Sequence, residues 1–111
     1  MKTISIAKQF SDVPWGRYPA DGDFCGENFR EKFLVPALRS GEPVAVSLDG
    51  VEGLGSSFLD EAFGGLVRKG YFSAAELKQQ LTIVTEQEDF KMYVDLIWRY
   101  SQEAARGLVA A

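Results

Sequence analysis

The segment from Val44 to Glu61 constrains the fold more than any other part of this chain of 111 residues. Its first part, Val44-Ala45-Val46-Ser47-Leu48, is a mainly apolar run with two β-branched valines, typical of a strand at the centre of a sheet. A glycine-containing loop follows, and then Ser56 and Ser57 open an apolar pattern of helical spacing. A strand that leads through a loop into a helix is the building unit of α/β proteins, and such connections commonly bind anions or partners.

Similar patterns alternate along the rest of the chain. Strands are predicted for the alternating segment 2–7 at a sheet edge, for the central segment 43–48 and for 81–85. A further short strand over 15–19 would add an antiparallel hairpin at that edge. Helices are predicted over 26–40, 57–69 and 73–80, and from 86 to a stop at Gly107.

This order of elements predicts an α/β fold in a single domain, residues 1–111. The predicted sheet is mixed and mainly parallel, has four to five strands, and carries the helices packed on it. Pro36 is expected to kink the first helix or to end its regular part, because proline cannot donate a backbone hydrogen bond.

Composition excludes several classes of function. The net charge is −4 and no basic run is present, so a nucleic acid is not expected as a partner. No apolar run approaches the roughly 20 residues of a membrane span, and the single cysteine fits a reducing cytoplasm. The chain contains no histidine, which removes the commonest general base and metal ligand. We therefore expect a cytoplasmic protein that is not an enzyme, with no cofactor and no metal ion.

The order of elements and the serine motif resemble the STAS fold, the domain of anti-sigma factor antagonists. Leu48-Asp49 matches the strand of that family that ends in Asp, and Gly55-Ser56-Ser57-Phe58-Leu59 falls on its phosphorylation motif. The resemblance implies that Ser56 is a phosphoacceptor for a partner kinase. Two positions depart from the motif, because Gly55 replaces the Asp before this serine and Phe58 replaces a glycine.

Three segments resemble more closely the STAS-like domain of unknown function DUF4325. They are Gly16-Arg17-Tyr18, the run from Cys25 to Arg30, and the run from Ser56 to Leu66. Members of this family occur alone or beside histidine-kinase-like ATPase domains. The resemblance therefore implies a regulatory role, with a protein partner such as a histidine-kinase-like ATPase or an anti-sigma factor.

Several polar side chains near the predicted elbow are candidates for binding a ligand or a partner. Besides the candidate phosphoacceptor Ser56, they are Asp49, Ser57, Asp60, Glu61, Arg17 and Arg30. Each also has a structural interpretation. Ser57 would cap its helix with Asp60 reaching back, Asp49 would accept hydrogen bonds from loop amides, and the two arginines would pair with Asp49 or Glu61. A Mg²⁺ site formed by these carboxylates and Glu52 is the weaker interpretation, because isolated surface carboxylates are common.

These observations favour a non-enzymatic, regulatory protein-interaction module that is switched by phosphorylation at Ser56. The alternative is a small nucleotide- or phosphate-binding protein or enzyme that uses the elbow from Gly53 to Ser57, although this elbow lacks the lysine and the glycine spacing of a P-loop. A homodimer formed through exposed aromatic side chains is a third hypothesis.

Overall fold

A computed structural model describes residues 1–107, so the last four residues of the predicted domain 1–111 lie outside the described part. Three parallel strands form the sheet: β1 (Lys2–Ser5), β2 (Val44–Ser47) and β3 (Leu81–Val84). Their order is β1-β2-β3, with Lys2 opposite Val44 and Val44 opposite Leu81. The run that begins at Val44 is therefore the central strand and 2–5 is an edge strand, as predicted.

The prediction of a mixed sheet with four to five strands is wrong, since residues 1–107 form three strands and all are parallel. The expected strand over 15–19 is a loop that ends in a 3₁₀ turn, Pro19–Asp21. Gly16 has a φ of 88°, which interrupts an extended conformation. The loop is instead closed on itself, because the N–H of Trp15 donates to the carbonyl of Phe24 and the N–H of Gly26 donates to that of Gly16.

Within residues 1–107, four helices connect and follow the strands, and two of them contain a π-helical turn. Helix α1 spans 26–39 and consists of Gly26–Phe29, the π turn Arg30–Leu34 and Val35–Arg39. Helix α2 spans 56–68 and consists of Ser56–Leu59, the π turn Asp60–Gly64 and Gly65–Arg68. Helices α3 and α4 are Ala74–Gln80 and Lys91–Ala105, and short turns occupy Ile6–Phe10 and Glu88–Phe90.

The π turn of α1 accounts for Pro36 within the helix. In a regular α-helix the proline ring would meet the carbonyl four residues earlier, which is that of Lys32. Lys32 lies in the wider turn Arg30–Leu34, where the N–H of Val35 donates to the carbonyl of Arg30. The helix therefore continues to Arg39 past the proline, with the irregularity just before it rather than a stop.

Helix α2 packs against both α1 and α4. Every residue from 58 to 66 is buried. Aromatic rings fill the region next to α1, with Phe29 lying 5.9 Å from Phe58 and 6.3 Å from Phe63 between ring centroids. Such rings contribute large apolar areas to a core. Among residues 1–107, no helix combines the length and apolar character that crossing a membrane would require.

Candidate functional site

The elbow after β2 presents two serines to solvent. Gly55 is the N-cap of α2 and has an extended backbone, and Ser56 is the first helical residue. Ser56 and Ser57 are both exposed. The prediction that Ser57 caps the helix with Asp60 reaching back is wrong, because no side chain caps this helix and Asp60 points into the protein. The two hydroxyls are therefore not engaged in capping α2.

A groove of about 270 Å³ borders these serines. One wall is the start of α2, and the other is the loop 15–21 that replaces the expected strand. Trp15 lies across the elbow, so that a Cβ placed on Gly55 would be 3.9 Å from its ring. The groove is lined by Trp15, Gly16, Arg17, Asp21 and the elbow residues from Gly55 to Phe58.

The loop that forms the outer wall and the residues on either side of it expose large apolar side chains. Trp15 has an exposed fraction of 67%, and the others are exposed by about half: Val13, Tyr18 and Phe24. Hydrogen bonds hold this loop in place, since the carboxylate of Asp21 accepts from the N–H groups of Arg17 and Tyr18. These backbone bonds lower the pKa of Asp21. The aromatic side chains are thus exposed on an ordered loop.

Beneath the groove lies a buried network of ion pairs centred on Asp60 and Glu61. Asp60 binds Nη1 of Arg17 at 2.6 Å through Oδ2 and Nη2 of Arg68 at 2.8 Å through Oδ1. Glu61 binds Nη1 of Arg30 at 2.6 Å and Nη1 of Arg17 at 3.4 Å. Asp60, Glu61 and Arg30 have exposed fractions of 0%, 3% and 1%. The pairing of both arginines with Glu61 agrees with the structural interpretation, but neither arginine binds Asp49.

The network extends to the surface on the α1 side. Nε of Arg30 donates to Glu31, and the hydroxyl of Tyr71 donates to the other oxygen of that carboxylate. Burial opposes the positive charge of Arg30, but the bonds and charges of Glu31 and Glu61 outweigh it and raise its pKa. Burial also opposes the charge of Arg17, but its hydrogen bonds and charge interactions with Asp60 and Glu61 outweigh burial and raise its pKa. Both side chains are therefore held in the charged form.

Burial changes the assignment of the candidate residues. Arg30, Asp60 and Glu61 cannot contact a partner from their positions in the core, so we do not retain them as surface binding residues. Arg17 lines the groove but shares its guanidinium with two carboxylates. Ser56 and Ser57 are the candidates that the structure places at an accessible position. In the part of the chain described here, no three metal-ligating side chains form a cluster.

Asp49 lies on the other side of the elbow and joins two strand ends. Its carboxylate accepts hydrogen bonds from Oγ1 of Thr85 and from the N–H of Glu86, just after β3. This agrees with the interpretation that Asp49 binds loop amides. The bond from Thr85, followed by the amide of Glu86, lowers the pKa of Asp49 despite some desolvation. Asp49 is therefore separate from the groove and stabilises the carboxyl edge of the sheet.

We expect Asp49→Asn to make the free energy of unfolding depend less on pH in the acidic range. The pKa of Asp49 lies below its ordinary value of 3.8 in the folded state. A depressed pKa contributes stability that is present above the unfolded-state pKa and is lost as the pH falls through the folded-state pKa. The difference in free energy of unfolding between wild type and variant should thus be largest at neutral pH and shrink below about pH 4. Urea unfolding across this range measures it.

The matched control for this prediction is Glu52→Gln, which removes an exposed carboxylate from the neighbouring loop. The free energy of unfolding of this variant should differ from that of wild type by a constant amount over the same pH range. A constant difference between wild type and Asp49→Asn from neutral to acidic pH would contradict the role of this carboxylate.

The site also depends on two glycines and one further arginine, and of these sequence reasoning missed Gly26 and Arg68. Gly26 and Gly65 allow α1 and α2 to approach closely, since a Cβ on Gly26 would be 2.7 Å from the carbonyl oxygen of Phe58 and one on Gly65 would collide with Nη1 of Arg30. Arg68 completes the pairing of Asp60. One sequence signal could have indicated this packing. Two carboxylates, Asp60 and Glu61, and two glycines, Gly64 and Gly65, lie inside an otherwise apolar helix.

A comparison with protein families identifies the class of this fold. The family model for a STAS-like domain of unknown function (DUF4325) matches residues 25–91, more than half of the chain. The chain therefore belongs to this family. The match includes the ion-paired segments of α1 and α2 and the elbow serines, whereas Gly16-Arg17-Tyr18 lies before it. No curated protein and no solved structure matches the chain significantly.

Proposed function

We propose that this STAS-like domain is a regulatory module that binds a protein partner at the elbow and does not catalyse a reaction. The observation that carries this proposal is the grouping of exposed apolar side chains beside two exposed serines. We call this region the elbow surface and define it by Val13, Trp15, Tyr18, Phe24, Ser56 and Ser57. Exposed apolar groups on an ordered loop are typical of protein contact sites.

The distribution of charged groups supports a binding role over catalysis. The carboxylates Asp60 and Glu61, which follow the elbow within α2, are buried and neutralised by arginines. No histidine is available as a base. The groove also contains Asp21, but its carboxylate accepts hydrogen bonds from the N–H groups of Arg17 and Tyr18, so the elbow surface offers mainly apolar area and hydroxyl groups.

Ser56 is suited to act as the switch of this surface. A phosphoryl group there would add about 1.5 to 2 negative charges at the first turn of α2. The helix dipole stabilises such a charge by about 0.3–1 kcal/mol at an exposed position. Because Ser56 and Trp15 line the same groove, a phosphoryl group would change both the charge and the shape that a partner meets. A histidine-kinase-like ATPase or an anti-sigma factor, acting in the cytoplasm, is the class of partner implied by the family resemblance.

The alternative of nucleotide or free phosphate binding receives less support from the geometry. Among residues 1–107, Arg17 is the one cation that lines the groove, and it already binds Asp60 and Glu61. Asp21 adds a further carboxylate to the lining. An anionic ligand would therefore compete with internal carboxylates for the same guanidinium.

We expect Ser56→Asp to change the affinity for the native partner by about tenfold, which corresponds to about 1.4 kcal/mol. The partner is captured from the source organism by cross-linking to the wild-type chain, and its dissociation constants for the variants are then measured. Ser56→Ala should retain the unmodified affinity, because it adds no charge. Gln79→Glu places one negative charge on α3, next to the amino end of β3, and should have no effect.

Two results would overturn this proposal. The first is an unchanged affinity of Ser56→Asp for every captured partner. The second is a change of equal size in Gln79→Glu, because it would show a response to net charge rather than to a charge at the elbow. Thermal shift with phosphate and nucleotides tests the alternative function, which requires stabilisation of the wild-type chain by such a ligand.

A further inference from the structure

The elbow surface has a rim of acidic side chains. Asp12 adjoins Val13 and Asp23 adjoins Phe24, and both are exposed. Glu52, also exposed, is held beside Asp12 by a hydrogen bond from its N–H to the Asp12 carbonyl. Asp21 lies in the groove itself. The potential around the apolar centre is therefore negative.

The positive charge in this region is turned inward. Arg17 belongs to the same loop, but its Nη1 binds Asp60 at 2.6 Å and Glu61 at 3.4 Å. Its side chain is 16% exposed. Arg17 thus pairs with Asp60 and Glu61 rather than with the rim carboxylates of Asp12, Asp23 and Glu52. An apolar centre with a negative rim is complementary to an apolar segment that carries basic side chains.

We propose that the elbow surface binds a basic, amphipathic segment of the partner protein, with apolar side chains against Trp15 and Phe24 and Lys or Arg side chains on the acidic rim. This inference rests on the proposed function and specifies the chemistry of the partner. The exposed indole of Trp15 and the exposed ring of Tyr18 add cation–π acceptors to the carboxylates. An arginine in the partner segment would bind both the aromatic rings, through cation–π contacts, and the carboxylates.

Charge also argues against two other occupants of this surface. A second copy of the chain, placed face to face, would bring two acidic rims together, in a protein whose net charge is −4. An anionic membrane would be repelled by the same carboxylates. A basic segment of a different protein meets neither obstacle.

A displayed library of random short peptides tests the inference without knowledge of the native partner. Peptides are selected on the wild-type chain and depleted on Trp15→Ala. We expect the retained sequences to combine Lys or Arg with large apolar residues. Enrichment of neutral or acidic sequences would overturn the charge inference but would leave the elbow as a binding surface. If no sequence is retained, the elbow surface is not a peptide-binding site and the inference fails.

A synthetic peptide from this selection allows quantitative measurement. In a Trp98→Phe background, Trp15 is the remaining tryptophan and its fluorescence reports binding at the elbow. We expect Trp15→Ala to weaken binding of the peptide at least about tenfold. Fluorescence anisotropy of a labelled peptide measures this affinity. Met92→Ala removes an equally exposed apolar side chain from α4 and should not change the affinity. Equal losses in the two variants would contradict binding at this surface.

The acidic rim is tested with the triple variant Asp12→Asn, Asp23→Asn and Glu52→Gln. Binding of the peptide by wild type should weaken as salt rises from about 0.15 M to about 1 M, because the Debye length falls from about 8 Å to about 3 Å. The triple variant should bind about tenfold more weakly and lose most of this salt dependence. An unchanged salt dependence overturns the inference. A dimer in light scattering that Trp15→Ala abolishes also overturns it, because the occupant would then be a second copy.

Discussion

Gly26→Ala is expected to lower the free energy of unfolding by about 3 kcal/mol, although it adds only one methyl group. An ideal Cβ at this position would be 2.7 Å from the carbonyl oxygen of Phe58 and 2.8 Å from Cβ of Glu61. The first contact is with backbone of α2, so it cannot be relieved by rotating a side chain. The helices α1 and α2 would have to separate, and their separation would loosen the pair between Arg30 and Glu61. Urea unfolding followed by circular dichroism measures the loss.

Gly53→Ala is the matched control for this prediction. No atom lies within 4 Å of the Cβ that it would add, and the φ of Gly53 lies outside the left-handed region. Its stability should stay within about 0.5 kcal/mol of wild type. If Gly26→Ala is as stable as Gly53→Ala, then α1 and α2 do not depend on close backbone approach at this position.

The local elements of the fold could be predicted because their signals are local. The run beginning at Val44 is apolar except for Ser47, and it forms the central strand. Ser73 accepts from the N–H of Glu76, and the Glu76 carboxylate accepts from the N–H of Ser73, as the spacing of the two residues predicts. Such bonds involve neighbours in the sequence and depend little on the rest of the fold.

The prediction of a strand over 15–19 was wrong because the signals that decide its conformation are not local. The conformation of this segment is decided by bonds to residues that follow it by about ten positions, such as the carbonyl of Phe24. The π turn Asp60–Gly64 is also a tertiary feature. The N–H of Gly65 donates to the carbonyl of Asp60, and the carbonyl of Glu61 accepts from Arg30 of the neighbouring helix. A single sequence does not contain the position of that arginine.

The candidate site was predicted in part. The elbow and its exposed serines follow from the order of strand, loop and helix. The acidic residues on both sides of the serines were interpreted as one cluster at the elbow. Asp60 and Glu61 instead turn into the core, and Asp49 binds Thr85 and Glu86 just after β3. A carboxylate enters a core when arginines from elsewhere in the chain neutralise it. That condition depends on three-dimensional pairing with Arg17, Arg30 and Arg68, which the spacing of residues does not reveal.

Arg30→Met is expected to have the other large effect, a loss of about 3–5 kcal/mol of stability. Arg30 is fully buried and donates to both the carboxylate and the carbonyl of Glu61 at 2.6 Å. Removing the guanidinium leaves a buried carboxylate whose remaining cation, Arg17, is 3.4 Å away. The cost is that of an uncompensated buried charge, and it exceeds the net stabilisation from the intact pair.

The double variant Arg30→Met with Glu61→Met separates the cost of an unpaired buried charge from the net stabilisation by the intact pair. It removes both charges and keeps the volume apolar, so it should regain most of the stability lost by Arg30→Met. Arg99→Met is the control, because Arg99 forms an exposed pair with Glu103 at 3.7 Å and should cost no more than about 0.5 kcal/mol. Chemical unfolding of these variants together with Glu61→Met gives the coupling energy between Arg30 and Glu61. If the double variant is no more stable than Arg30→Met, the guanidinium stabilises α1 and α2 through its packing, and the unpaired charge of Glu61 is not the cause of the loss.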